Sequence, residues 1–248
     1  MKRDLHVHSV YSDGKNTPEE IVAAAIALGL EEIAVTDHSY TWFDESYCIK
    51  KEAQNAYIDE ISALKARYSD KIRILCGIEQ DYYSEEPTDR FDFVVGSVHY
   101  IKCGEQFVEV DHLSEARECI AGYFGGDSDA YAEKYFSTLS DVCRRTGCDI
   151  IGHFDLITKF CERETLFDTE SPRYIAAWKG AVDELLKYGK PFEINTGAIS
   201  RGYRTSPYPS MAQIDYIKSH GGRLVLSSDA HSILNLCSGF EKYSHLTE

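Results

Sequence analysis

The stretch DLHVHSVYSDGKNTPEEIVAAAIALGLEEIAVTDHS, residues 4–39, carries a strand, a helix and a second strand in that order. Leu5 to His8 and Ile33 to Thr36 are short runs that fit strands. Between them Thr17 is placed to cap a helix, Pro18 suits its first turn, and Glu20 completes the capping box. Gly29 marks the helix end. A strand that returns to a parallel neighbour through a helix is a βαβ unit.

The same alternation runs through the rest of the chain. Further strands are expected at Ile72 to Gly77, Phe91 to Val98, Asp149 to Gly152, Pro191 to Asn195 and Arg223 to Ser227. Helical patterns fall at Glu52 to Tyr68, Asp129 to Thr146, Pro172 to Tyr188 and Ser210 to His220. Repeated β-α alternation implies a parallel sheet. Seven units, close to the eight of a TIM barrel, favour a closed or nearly closed barrel over an open sheet. With 248 residues, 43% of them hydrophobic, and no composition break, one domain over residues 1–248 is expected.

Composition narrows the chemistry. The longest apolar runs, such as Ile21 to Leu30, fall well short of the roughly 20 residues that span a bilayer. The N-terminus MKRDLHVHS lacks the apolar region of a secretory signal, so a cytoplasmic protein is expected. Eight cysteines form no C-x-x-C pair and none is followed six positions later by arginine, so they are read as reduced thiols without cysteine-phosphatase chemistry. A formal charge of −15 argues against nucleic acid or anionic membrane as partner.

Nine histidines are present, and six of them, His6, His8, His38, His99, His153 and His231, fall at or just past the C-terminal end of an expected strand. In a parallel barrel all strand ends converge on that face. Asp13, Glu79 and Asp229 join them from the loops after the first, third and seventh strands. On a strand, residues i and i+2 share a face, so His6 and His8 aim one way while Val7 packs the other. Asp229 and His231 repeat this spacing. Imidazole mixed with carboxylate suits Zn, Mn or Fe. Glu79 is placed to bridge two ions. Asp37, which alternation turns away from His38, is expected to support the fold, and His112, His220 and His245 are taken as surface residues.

These motifs resemble a known family. DLHVHSVYSDG, VTDHS, GIEQDYY, DFVVGSVHY, DIIGHFDLITKF, FEINTGAISRGYRTSPYPS and SSDAHS are similar to those of the PHP-type (polymerase and histidinol phosphatase) phosphoesterases. Within that group, HFDLITKF, NTGAISRG with PYPS, and LCSGF resemble the histidinol-phosphate phosphatases of histidine biosynthesis. The resemblance implies a distorted (β/α)7 TIM-like barrel and three divalent metal ions. It would place His6, His8, Glu79 and Asp229 on one ion, Glu79, His99 and His153 on a second, and Asp13, His38 and His231 on the third. Glu79, Asp229 and His231 would then be central to catalysis. Relatives continue past the LCSGF-like segment into a final helix, for which this sequence leaves the residues up to Glu248.

The expected reaction is hydrolysis of a small-molecule phosphate monoester, histidinol phosphate by resemblance, with water activated between metals. Such esters are among the slowest to hydrolyse unaided, and one general acid or base supplies only about 10²–10⁴ of the acceleration. A dense metal cluster fits that demand. Arg201 and Arg204, in a Gly-rich loop after the sixth strand, and Lys159 are the candidate phosphate binders. Tyr100, Phe154 and Phe160 lie close enough in sequence to ligands to form a substrate pocket, and fit the core equally well. Other readings stay open: a PHP phosphoesterase for a nucleotide, sugar phosphate or phosphotyrosyl protein, a metal-dependent amidohydrolase, or a non-catalytic metal-binding module.

Overall fold

The computed structural model describes residues 2–247. Nine strands follow in chain order: β1 (Arg3–Asp4), β2 (Glu32–Val35), β3 (Arg73–Asp81), β4 (Phe93–Ser97), β5 (Tyr100–Cys103), β6 (Gln106–Glu109), β7 (Ile150–Ile151), β8 (Phe192–Asn195) and β9 (Leu224–Ser227). Seven of them form one sheet in the order β1-β2-β3-β4-β7-β8-β9. Every neighbouring pair in it is parallel, as the alternation of strands and helices requires. The sheet curls until its edges meet. Val7 pairs with Ala230 in an isolated parallel bridge, and the His8 N–H donates to the Ala230 carbonyl at 2.9 Å. The result is a near-closed seven-stranded barrel, as the strand count implied.

Helices cover its outside for the reasons read from sequence. The helix Pro18–Ala27 starts at a complete capping box, with the Glu20 N–H donating to the Thr17 hydroxyl and the Thr17 N–H to the Glu20 carboxylate. Its buried Ile21, Val22 and Ala25 join Val7, Ile33 and Val35 in the main core. The helix Gln54–Arg67 brings Tyr57, Ile61 and Leu64 onto the outer residues of β3. Inside the barrel, Leu5, Ala34, Val95, Ile150 and Val225 form a small apolar plug with Leu75 and Phe93 against it. Period-two alternation then carries each strand from plug to polar layer: Leu75 leads to Glu79, Val95 to Ser97 and His99, Val225 to Ser227 and Asp229.

The structure redraws several elements. Regular pairing of the first strand ends at Asp4, because the Val7 N–H is taken by the Thr36 hydroxyl at 3.0 Å instead of a strand carbonyl. β3 runs through to Asp81, so Glu79 lies inside a strand, opposite Val95, and not in a loop. Gly77 does not break it. A Cβ there would stand 2.5 Å from the Thr36 side chain, so glycine permits close packing of β2 on β3. The helix expected at Asp129 to Thr146 is two, Ser128–Leu139 and Val142–Thr146. At the break the Thr138 and Ser140 hydroxyls bond the carbonyls of Lys134 and Ser137, the local competition that weakens helix interiors.

The antiparallel hairpin β5–β6 and the helix Leu113–Tyr123 had no counterpart in the sequence reading. Gly104, with φ +62°, makes the hairpin turn. Past LCSGF, a short helix Phe240–Tyr243 and a 3₁₀ turn Ser244–Thr247 bury Tyr243 and Leu246 against β8 and β9. Glu248 lies outside the described residues.

Replacing Gly77 with alanine is expected to destabilise the fold by about 1–3 kcal/mol, the usual cost of overpacking. Urea unfolding monitored by circular dichroism would show a lower midpoint with unchanged slope.

Candidate metal centre

Glu79 is buried at the centre of the polar layer. Its Oε2 lies 2.8 Å from His38 Nδ1, 3.3 Å from His6 Nε2 and 3.6 Å from His8 Nε2. Its Oε1 lies 2.8 Å from His153 Nε2 and 3.3 Å from His99 Nε2, and accepts the Ser97 hydroxyl at 2.6 Å. Five imidazoles, from just past the ends of the four strands β1, β2, β4 and β7, therefore face one carboxylate. Burial opposes its charge, yet His6, His38 and His99 hold the carboxyl well below the usual carboxylate range.

Asp13 and Asp229 extend the cluster. Asp229 Oδ1 is 3.2 Å from His8 Nε2, and Asp13 Oδ2 is 3.0 Å from His231 Nε2. Asp13 Oδ1 stands 3.7–3.8 Å from nitrogens of His38 and His8. Asp229 adopts φ 49°, a left-handed conformation that non-glycine residues reach infrequently and that gathers at functional sites. A Cβ on Gly197 would meet the Asp229 carboxylate at 2.8 Å, so only glycine lets the loop after β8 approach so closely.

The donor atoms fall into groups compact enough for an ion: His8, Asp13, His38 and His231; His6, His8 and Glu79; His38, Glu79 and His99. His8 and His38 each belong to two. All nine residues expected to bind metal are thus in one cluster. A fourth grouping, Glu109, His112 and Glu115, shares no residue with these.

The chemistry of the donors fits a metal. His6 Nε2, both nitrogens of His8, Glu79 Oε2, His99 Nδ1 and His153 Nδ1 are buried without a hydrogen-bond partner. Such atoms cost about 1–3 kcal/mol each when left unsatisfied, and divalent ions would occupy several of them. Burial, with His231 and His38 beside it, pushes His8 down to about 3, so its ring is neutral and free to ligate.

A second ring of carboxylates orients the imidazoles. Glu193, on β8 and fully buried, sits 2.6 Å from His6 Nδ1 and accepts the His153 N–H at 2.7 Å. Asp81 accepts the His99 N–H at 3.0 Å and lies 3.3 Å from its Nδ1. Both were missed from sequence, although an acid inside the apolar run Phe192–Asn195 is a readable sign. Asp37 ties down the loop after His8, accepting the Ser9 N–H at 2.7 Å and the hydroxyls of Ser9 and Ser12.

A cavity of about 240 Å³ opens onto the cluster. Its wall includes the cations Arg201 and Lys159, the acids Glu109 and Asp111, and Tyr47, Tyr100 and Tyr203. Arg201 donates to Asp229 Oδ2 at 3.0 Å, and its second nitrogen lies 2.8 Å from His231 Nδ1. Lys159 pairs with Asp111 at 2.9 Å and stands over the Tyr203 ring. Burial works against the Asp111 charge, but Lys159 and His99 hold it below the usual range.

The remaining candidates lie elsewhere. Arg204 is buried against Tyr208 and 3.7 Å from Asp155, and lines a separate cavity, so its guanidinium braces the loop instead of facing the cluster. Phe154 packs in the core between Phe136 and Phe192, and Phe160 stands edge-on to Tyr203, outside the cavity wall. His112, His220 and His245 are exposed.

A model of the PHP domain family matches residues 4–197. The chain is 29% identical to a histidinol-phosphatase of Lactococcus lactis, over 93% of this chain and 84% of that one. A solved structure of the Lactococcus lactis histidinol phosphate phosphatase, in complex with Zn, L-histidinol and phosphate, superposes with a TM-score of 0.73 at 24% identity, covering 99% of this chain and 92% of that one. The structure of a Listeria monocytogenes protein, described as a candidate histidinol phosphatase, has a TM-score of 0.85 at 20% identity, covering 98% of this chain and all of that one. At these identities the two structures establish the shared fold.

Glu193→Gln is expected to weaken metal binding about 10- to 100-fold, the usual effect of removing a carboxylate behind a ligating histidine. Metal retained after dialysis against graded chelator, measured by mass spectrometry, would show it.

Proposed function

This chain belongs to the PHP domain family, and on that premise we propose that it hydrolyses L-histidinol phosphate to L-histidinol and inorganic phosphate, as a step of histidine biosynthesis. The observation that carries the reading is the cavity itself, in which seven of the nine candidate metal ligands form the floor and both cations, Arg201 and Lys159, and acids, Glu109 and Asp111, join the wall. A zwitterionic ester, phosphate at one end and amine with imidazole at the other, finds partners of both signs there. The likeness to the Lactococcus lactis enzyme, whose structure holds histidinol and phosphate, supports the same choice.

The residues that would hold metal are those named from the resemblance: His6, His8, Glu79 and Asp229 for one ion, Glu79, His99 and His153 for a second, Asp13, His38 and His231 for a third. Zn, Mn or Fe held there would supply Lewis acidity toward the phosphoryl oxygens and acidify water, which is what this reaction needs. His231 Nδ1 is also 3.0 Å from the Asp229 carbonyl. With its proton donated there, His231 turns a bare Nε2 toward Asp13 and the ion. Arg201 then has an N–H free for a phosphate oxygen, where its planar fork is effective.

Lys159 adds a second cationic donor to the phosphate end. Glu109 would receive the ammonium or imidazole of the substrate while Asp111 holds Lys159 in place, with Tyr47, Tyr100 and Tyr203 bounding the ring. Glu193 fixes the His6 ring, and Asp37 keeps the Ser9–Ser12 loop from moving Asp13 away. A cavity of about 240 Å³ suits a small ester better than a phosphotyrosyl protein.

Phosphate release from histidinol phosphate should exceed that from nucleotides and sugar phosphates in kcat/KM, vanish with chelator and return with Zn or Mn. A higher kcat/KM for another ester would overturn the substrate assignment. Arg201→Ala should raise KM about 10- to 100-fold, the worth of a charge-assisted hydrogen bond. An unchanged KM would remove the phosphate clamp and favour an amidohydrolase.

A further inference from the structure

A larger cleft, of about 900 Å³, lies on the far side of Tyr100 and Glu109 from the metal cluster. Hairpin β5–β6, the loop Trp42–Asp44 and the helix Leu113–Tyr123 form its walls. Two features of it are independent of each other. The first is exposed aromatic surface: Trp42 is 59% exposed and stands edge-on at 5.8 Å to Phe107, which is itself stacked on Phe43 at 3.9 Å and so holds the patch together. Tyr123 is also exposed there.

The second is charge. Asp44, Glu105, Glu109, Glu115 and Glu118 line the cleft, and no lysine or arginine is among its lining residues. Lys102 approaches only from the hairpin, 5.4 Å above the Phe107 ring and 3.9 Å from Glu105. Burial, and then the neighbouring Asp111, Glu115 and Asp44, push the Glu109 carboxyl up from its ordinary value.

We propose that this cleft is a binding site for a small organic cation carrying an aromatic or heteroaromatic ring, separate from the catalytic cavity and sharing with it only the wall of Tyr100 and Glu109. The ring would lie against the exposed Trp42 and Tyr123 rings, whose negative π surfaces also attract the cation. The charged group would reach Glu105, Glu115 and Glu118. An anionic ester has no counterpart here, so the cleft and the catalytic cavity select different molecules.

Trp42 gives the test, because the chain has two tryptophans and the other, Trp178, is buried. Benzyltrimethylammonium is titrated into the metal-loaded Trp178→Phe protein, with inorganic phosphate present to occupy the catalytic cavity, and Trp42 fluorescence is followed. Saturable binding is expected, weakened about tenfold in a Glu105→Gln/Glu118→Gln double variant. Both glutamates are exposed, so that variant should fold and retain its kcat. Three results would overturn the proposal: a non-saturating response, an equal response to neutral benzyl alcohol, or unchanged affinity in the double variant. A response to Zn or Mn alone, competing with the probe, would also overturn it by making the acids an inorganic cation site.

Discussion

One carboxylate facing five imidazoles in a dry interior is the constraint from which the rest of this molecule can be understood. Glu79 is 1% exposed, and each of the five rings has a nitrogen within 3.6 Å of it. Burying a charge is costly unless it is paired and hydrogen-bonded. Here the pairing is collective: histidines hold the carboxylate ionised, further acids orient the histidines, and several nitrogens still face inward without partners. An arrangement of this kind is poorly compensated as protein alone and well compensated with cations inside it.

The barrel exists in the form that this cluster needs. Parallel strands deliver their C-terminal ends to one face, and two-residue periodicity turns an apolar plug into a polar floor within a few ångströms along each strand. The departures from regular geometry are local to the floor. The first strand leaves its ladder at Asp4 so that His6 and His8 can reach Glu79, and Asp229 takes a left-handed conformation beside a glycine that leaves it room. These distortions are of the kind a regular barrel would avoid, and they coincide with the ligands.

Charge organises the two cavities in opposite senses. The cavity over the histidine cluster mixes cations and anions, and divalent ions held there would add their charge. The outer cleft holds acids and aromatic rings. Tyr100 and Glu109 stand between them, on the hairpin that follows His99. A chain with a formal charge of −15 can therefore present a phosphate site, because local fields, not the net charge, govern what enters a cleft.

Much of this was legible in the sequence. Seven strand runs separated by helical patterns, a capping box at Thr17, and histidines at strand ends are local signals: each depends on spacing along a few residues, which backbone geometry translates directly into a face or a terminus. That is why all nine expected ligands appear in one cluster. Positions that depend on long-range packing were not readable. Glu193 braces the His6 ring because β8 places it there from 187 residues away. Arg201 and Arg204 are three residues apart and equally basic, yet the loop folded back by the Asn195–Tyr208 bridge sends one to Asp229 and His231 and the other against Tyr208. Spacing alone determined which residues could share a face; only the closed barrel decided which faces meet, because that depends on contacts between segments far apart in the chain.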